Sequence, residues 1–128
     1  MLIHLLNDEL IVTLTLQSFL TDLGHEVVIA HSASGLFENL TRSLQPVDLI
    51  LSDLRLPDRE GIGLIHEIHR RYPGAPIIVM TGYSPTLSPD EAVANGVYAY
   101  LRKPVRLSEL ELLLVRVSER PAYDRDQR

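Results

Sequence analysis

The sequence predicts an α/β fold of the doubly wound kind: a parallel five-stranded sheet with helices on both faces. Two observations carry that expectation. Short apolar runs alternate five times with longer segments of helical period along the 128 residues. The inner runs, such as Asp48-Leu49-Ile50-Leu51 and Pro76-Ile77-Ile78-Val79-Met80, lack the period-two pattern of a half-exposed strand and read as covered on both sides. One domain is expected at this length, and such a chain buries about two thirds of its unfolded surface.

The elements follow in order. Strand β1 is read at Leu2–Leu6, and helix α1 at Leu10–Leu23, where Val12, Leu16, Phe19, Leu20 and Leu23 make one apolar stripe. Gly24 then sits where a left-handed helix terminator belongs. Next come β2 at Glu26–Ala30, α2 at Ser34–Ser43, β3 at Val47–Ser52, α3 at Ile62–Arg71 and β4 at Ile77–Met80. Helix α4, Pro89–Asn95, has Ser88 as N-cap, Pro89 at the first helical position and Glu91 closing a capping box, with Gly96 beyond its end. Strand β5 is Tyr98–Leu101. Helix α5 is Leu107–Glu119, with Leu107, Leu110, Leu113, Leu114 and Val117 on one face and a Ser108/Glu111 box pattern one residue inside its start. Residues 1–120 form the domain, and 121–128 form a polar tail or linker without apolar period.

Composition removes whole classes. Hydrophobic residues at 45% and charged residues at 23% exclude general disorder. A net charge of −5 argues against a nucleic-acid surface, which needs concentrated Lys and Arg. With no cysteine, disulfide scaffolds, thiolate metal sites and cysteine nucleophiles are excluded. The Leu2–Leu6 run is too short and too soon acidic for a signal peptide, and no stretch approaches a membrane span, so a soluble cytoplasmic domain is expected.

Parallel sheets bind ligands beyond the carboxyl ends of their strands, so the residues there matter most. They are Asn7, Asp8 and Glu9 after β1, Asp53 after β3, Thr81 and Gly82 after β4, and Arg102, Lys103 and Pro104 after β5. Carboxylates gathered in one crevice repel unless a cation lies among them. Oxygen ligands without Cys or an aligned His pair favour a Mg²⁺-like ion that keeps its waters. Each residue alone has a plainer reading. Asp53 caps a loop, Thr81 bonds local backbone, Lys103 is a solvated charge, and Tyr100 covers core. His66 and His69, three apart on α3, lack a third ligand and read as solvated; His4, His25 and His31 carry no pattern.

Taken together, the fragments resemble the receiver domain of two-component response regulators, of the chemotaxis-regulator type, from Leu2 to about Glu119. The similar pieces are the acids after β1, Asp-x-x-x-Pro-x-x-x-Gly at Asp53–Gly61, Val79-Met80-Thr81-Gly82, and Tyr100-Leu101-Arg102-Lys103-Pro104. That resemblance implies a flavodoxin-like (βα)5 sandwich with strand order 2-1-3-4-5. It implies that Asp53 is the phosphoacceptor, taking phosphorus from a histidine kinase, a histidine phosphotransfer protein or a small phosphodonor to give an acyl phosphate. Asp8, Asp53 and the backbone carbonyl of Arg55 would hold Mg²⁺, with Asn7 at the position of the first acid of the usual pair. Lys103 would pair with the phosphoryl group and Thr81 would donate to it, with Pro104 following a cis peptide. Thr81 and Tyr100 would then switch the α4-β5-α5 face, which would select a downstream effector or form a homodimer. The domain would not be an enzyme on a separate substrate but a phosphoacceptor that assists its own phosphorylation and dephosphorylation.

The match departs in two places. Asn7 keeps an acceptor oxygen but lacks the charge of the usual acid, which predicts weaker Mg²⁺ affinity; Glu9 is the alternative second acid. Arg55 and Tyr83 flank the expected phosphoryl position, which predicts a shielded, longer-lived acyl phosphate. Three other functions compete. A phosphorylation-independent interaction module is supported by Asn7 alone. A flavin-type cofactor binder would need a glycine-rich phosphate loop where Asn7-Asp8-Glu9-Leu10 stands. An aspartate-nucleophile phosphatase would need a general acid where Arg55 stands.

Overall fold

The computed structural model describes residues 1–58, 61–82 and 96–120. Its elements run β1 (Leu2–Leu6), α1 (Leu10–Asp22), β2 (Glu26–Ala30), α2 (Ala33–Arg42), β3 (Leu49–Asp53), α3 (Ile62–Arg71), β4 (Ile77–Thr81), β5 (Ala99–Arg102) and α5 (Leu107–Ser118). The five strands form one sheet in the order β2-β1-β3-β4-β5, with every pairing parallel. The expected helix α4 at Pro89–Asn95, its caps Ser88 and Glu91, Tyr83, and the tail 121–128 lie outside the described residues.

The apolar runs of β1, β3 and β4 are buried at every position because the sheet carries a core on each face. One core packs Leu6, Ile50, Ile77 and Val79 against Leu36 and Leu40 of α2 and Leu64, Ile65 and Ile68 of α3. The other packs Ile3, Leu5, Leu49, Leu51, Ile78 and Met80 against Leu16 and Leu20 of α1 and Leu110, Leu114 and Val117 of α5. Strand β2 lies at the sheet edge and is only partly covered.

Local chemistry moves several boundaries. Strand β3 starts at Leu49 rather than Val47, since the Asp48 carboxylate accepts the Leu2 N–H at 2.7 Å at the sheet's entrance. It extends through Asp53, and β4 through Thr81, which places both residues at the ends of strands rather than in loops. Helix α2 opens one residue early because Ser32, not a later serine, is its N-cap, accepting the Gly35 N–H at 3.0 Å. The Ser108 box is not used: Arg106 precedes the first helical residue and makes no side-chain cap. In α1 the buried residues are Thr13, Leu16 and Leu20, whereas Leu23 is the C-cap residue and exposed. Thr13 tolerates burial because its hydroxyl donates to the Glu9 carbonyl at 2.9 Å. Gly24 has φ +93° and closes α1 through its N–H to the Thr21 carbonyl at 2.9 Å.

One buried polar residue serves no visible partner. His4 of β1 is 1% exposed, and neither ring nitrogen has a hydrogen-bond partner among the described residues. Burial lowers its pKa below the ordinary 6.5, so the folded chain resists a proton that the unfolded chain accepts. Folding stability therefore falls as pH drops below 6.5, because the unfolded chain takes up a proton at His4 that the folded chain resists. His25 shares that direction, from burial and then from the Met1 ammonium 2.9 Å from its Nδ1, with Asp48 opposing. Replacing His4 by Val suits the strand and removes two orphaned nitrogens. His4→Val is expected to gain about 1 kcal/mol in urea unfolding at neutral pH. The gain should widen as pH drops below 6.5, while the His25 share of the acid sensitivity remains.

Candidate functional site

The sheet topology decides which strand ends meet. With order 2-1-3-4-5, the chain reverses direction of winding between β1 and β3, and a crevice opens there at the carboxyl edge. Asp8, Glu9, Asp53, Arg55, Leu56, Pro57, Thr81, Gly82 and Lys103 line it. Asp8, Asp53, Thr81 and Lys103, read from four separate stretches of sequence, thus share one cavity. Asn7 does not line it.

At its floor lies Asp53, the last residue of β3 and 3% exposed. One carboxylate oxygen, Oδ1, accepts the Arg55 N–H at 3.1 Å, and the other, Oδ2, accepts from Lys103 Nζ at 2.6 Å. The Lys103–Pro104 peptide is cis, and the Lys103 N–H donates to the Thr81 carbonyl at 2.7 Å, tying the β4 and β5 ends together. Lys103 Nζ also reaches Glu9 Oε1 at 3.3 Å. Burial works to lower the Lys103 pKa, but hydrogen bonds to and charges of Asp53 and Glu9 outweigh it and hold the pKa above the ordinary lysine value. The ammonium is therefore a fixed positive charge in the crevice.

The β1 end is knotted by Asn7, which is fully buried. Its backbone N–H donates to the Ala30 carbonyl at 3.1 Å, and its own carbonyl faces His31 Nδ1 at 3.1 Å. Its side-chain Oδ1 accepts the Glu9 N–H at 2.8 Å, while Nδ2 is buried without a partner among the described residues. That turn leaves Asp8 exposed at the crevice and turns Glu9 toward Lys103.

Thr81 is 4% exposed at the end of β4. Tyr100 of β5 pairs in register with Val79 and is half-buried against the α2–α3 core. Since Val79 and Thr81 share a sheet face, Tyr100 lies on the same side as Thr81, one pleat back from the crevice. His66 and His69 are exposed on α3, and among the described residues no three His, Cys, Asp or Glu side chains are gathered closely enough to hold a metal by themselves.

Two contacts here were not read from the sequence. The Glu9–Lys103 pair joins residues 94 apart in the chain, and the Asp58 carboxylate bonds the start of α2, 2.9 Å from the Ala33 nitrogen. Neither has a local signature, because an acid in a loop reads as a turn former whichever distant group it meets.

A carboxylate, an ammonium and a hydroxyl at the switch point of a 2-1-3-4-5 sheet define a class, that of response-regulator receivers. The chain belongs to this family: the response regulator receiver domain model matches residues 3–115. It is 30% identical over 128 residues to the transcriptional regulatory protein ZraR of Klebsiella oxytoca, covering 95% of this chain and 28% of that protein. It is 36% identical over 108 residues to the TorCAD operon transcriptional regulatory protein TorR of Escherichia coli O157:H7, covering 84% of this chain and 46% of the relative. The chain thus spans about a quarter to under a half of the length of these curated relatives. Among solved structures, the signal receiver domain of an HD domain-containing protein from Pseudomonas fluorescens Pf-5 is similar, with TM-score 0.82, 32% identity, and coverage of 92% of this chain and 94% of the other. A CheY-like response regulator receiver domain protein from Methanospirillum hungatei JF-1 gives TM-score 0.81 and 28% identity, covering 92% of this chain and 94% of the other. No helix among the described residues is long and apolar enough to cross a membrane.

The geometry makes the Asp53–Lys103 pair open to a direct test. Removing the cation leaves a buried carboxylate, which is costlier than removing both charges. Lys103→Met is expected to lose about 1–3 kcal/mol in urea unfolding at neutral pH, discounted from a fully buried pair because Lys103 is partly exposed. Adding Asp53→Asn should restore most of that loss, giving a coupling in the double-mutant cycle.

Proposed function

We propose that this domain is a phosphoacceptor receiver of a two-component or phosphorelay system, and that Asp53 carries the phosphoryl group. The observation supporting it is the 2.6 Å contact between Lys103 Nζ and the buried Asp53 Oδ2 in a crevice shared with Asp8 and Thr81. An Asp53 oxygen attacks the phosphorus of a kinase phosphohistidine, the P–N bond breaks, and an acyl phosphate forms with the imidazole as leaving group. Lys103 shifts from the carboxylate to the phosphoryl oxygens, and the Thr81 hydroxyl donates to another of them. Catalysis here is mostly positioning and charge neutralisation. The domain thus assists its own phosphorylation and dephosphorylation without acting on a separate substrate.

Mg²⁺ fits the donor set. Asp8 and Asp53 supply two carboxylates and Arg55 a backbone carbonyl, a hard-oxygen set suited to an ion that retains several waters. When bound, Mg²⁺ neutralises charge on the phosphoryl oxygens during transfer. Asn7 sits beside this set with its oxygen committed to the Glu9 N–H, which accords with weaker metal affinity. Phosphorylation adds about −1.5 to −2 charge and three acceptors at the crevice floor. Thr81 then moves toward the phosphoryl group, Tyr100 fills the vacated space, and the α4-β5-α5 face changes shape. A downstream effector, or a second copy as homodimer, reads that face. The domain comprises residues 1–120 with 121–128 as tail, works in the cytoplasm, and contacts neither nucleic acid nor membrane directly.

One observation favours a second reading, an interaction module independent of phosphorylation: the first acidic position holds Asn7, whose oxygen is already engaged. Acetyl phosphate with Mg²⁺ separates the two. The first reading expects one phosphoryl adduct by intact mass, absent in Asp53→Asn and after Mg²⁺ is chelated; no adduct on the parent decides for the interaction module. Asn7→Asp restores a carboxylate next to Asp8, at a buried position whose desolvation offsets part of the added attraction, and is expected to tighten Mg²⁺ binding several-fold. Titration calorimetry reads that change, and an unchanged affinity refutes the role given to Asn7.

A further inference from the structure

The crevice wall is anchored at a point that the proposed chemistry does not use. Both oxygens of Asp58 accept backbone N–H groups at the start of α2: Oδ1 takes Ala33 N–H at 2.9 Å and Oδ2 takes Ser34 N–H at 3.0 Å. Those donors have no partner within the helix, and the helix dipole favours an anion there. A two-point contact of this kind fixes the orientation of the carboxylate as well as its position.

Asp58 closes the short segment that leaves Asp53, and Arg55, Leu56 and Pro57 of that segment form one wall of the crevice. Leu54 and Leu56 are buried in the core over α2 and α3, while Arg55 between them is exposed. Beyond β3 the segment is not part of the regular ladder: Arg55 makes a single bridge, and Pro57 has no N–H to bond. The Gly61 N–H bonds the Leu54 carbonyl at 3.0 Å and closes the return of the chain. Among the described residues, Asp58 is a polar anchor of this segment, and what it grips is the start of α2.

We propose that Asp58 is a positioning residue for divalent-cation binding: by clamping the 54–58 segment to α2 it fixes the Arg55 carbonyl in the crevice wall. This rests on the Mg²⁺ reading above. Asp58 does not line the crevice. Its removal leaves Asp8 and Asp53 intact while freeing the orientation of a neutral oxygen donor. Groups that orient a metal ligand from behind typically alter affinity about tenfold or more when removed.

The test is calorimetric titration of Mg²⁺ alone into the whole chain, with thermal unfolding measured alongside. Asp58→Ala should weaken Mg²⁺ binding about tenfold. Asp58→Asn, which keeps one acceptor oxygen, should fall between it and the parent, and serves as the decisive variant if the alanine form does not fold. Ser32→Ala removes the other cap of the same helix, the 3.0 Å bond to Gly35 N–H, without touching the segment. It should lower Tm yet leave Mg²⁺ affinity within a factor of about two. Parent-like affinity in the Asp58 variants, or equal weakening in Ser32→Ala, overturns the proposal while the Mg²⁺ reading stands. A parent that takes up no Mg²⁺ overturns both.

Discussion

Asp53 is almost wholly buried, and a carboxylate can be there only because an ammonium lies 2.6 Å from one oxygen and a backbone N–H lies 3.1 Å from the other. Much of the surrounding architecture follows from supplying those two groups. The Arg55 N–H comes from the chain's own turn at the end of β3. Lys103 must come from β5, two strands away, and its backbone is fixed by the bond to the Thr81 carbonyl. The parallel sheet brings these ends to one edge, and two apolar cores, one per face, keep the sheet rigid beneath them.

The same arrangement places one cation between two carboxylates. Lys103 is shared between Asp53 and Glu9, so a group that changes the charge on Asp53 redistributes a cation already in place rather than recruiting one from solvent. Thr81 and Tyr100 lie on one sheet face at successive pleats. Asp58 ties the opposite wall to α2, so the crevice has a cationic side and a braced side. A receiver needs both: a local charge change and a frame stiff enough to convert it into altered shape.

The polar exceptions in the core separate into those with a use and one without. Asn7 and Thr13 are buried but engaged in the turn that presents Asp8 and Glu9. His4 is buried in the central sheet with neither nitrogen engaged among the described residues. Its neighbours across β1 are Val28 and Ile50, so an apolar side chain would fit the pairing equally well.

By itself the sequence determined the strand–helix alternation, the two-sided burial of the inner strands β3 and β4, and the set of residues at the strand ends. These are local properties: apolar run length, capping residues and a terminating glycine act on their near neighbours in the chain. Helix starts were read less well. The sequence pattern starts helix α2 at Ser34, but Ser32 caps it and Ala33 and Leu36 pack into the core, so it starts at Ala33. What the tertiary structure decided was pairing at a distance: that Lys103 meets Glu9 as well as Asp53, that Asn7 spends its oxygen on the Glu9 N–H, and that Asp58 grips α2. A charged side chain carries no record in its sequence neighbourhood of which partner it will find, because that partner is delivered by the winding of the whole sheet.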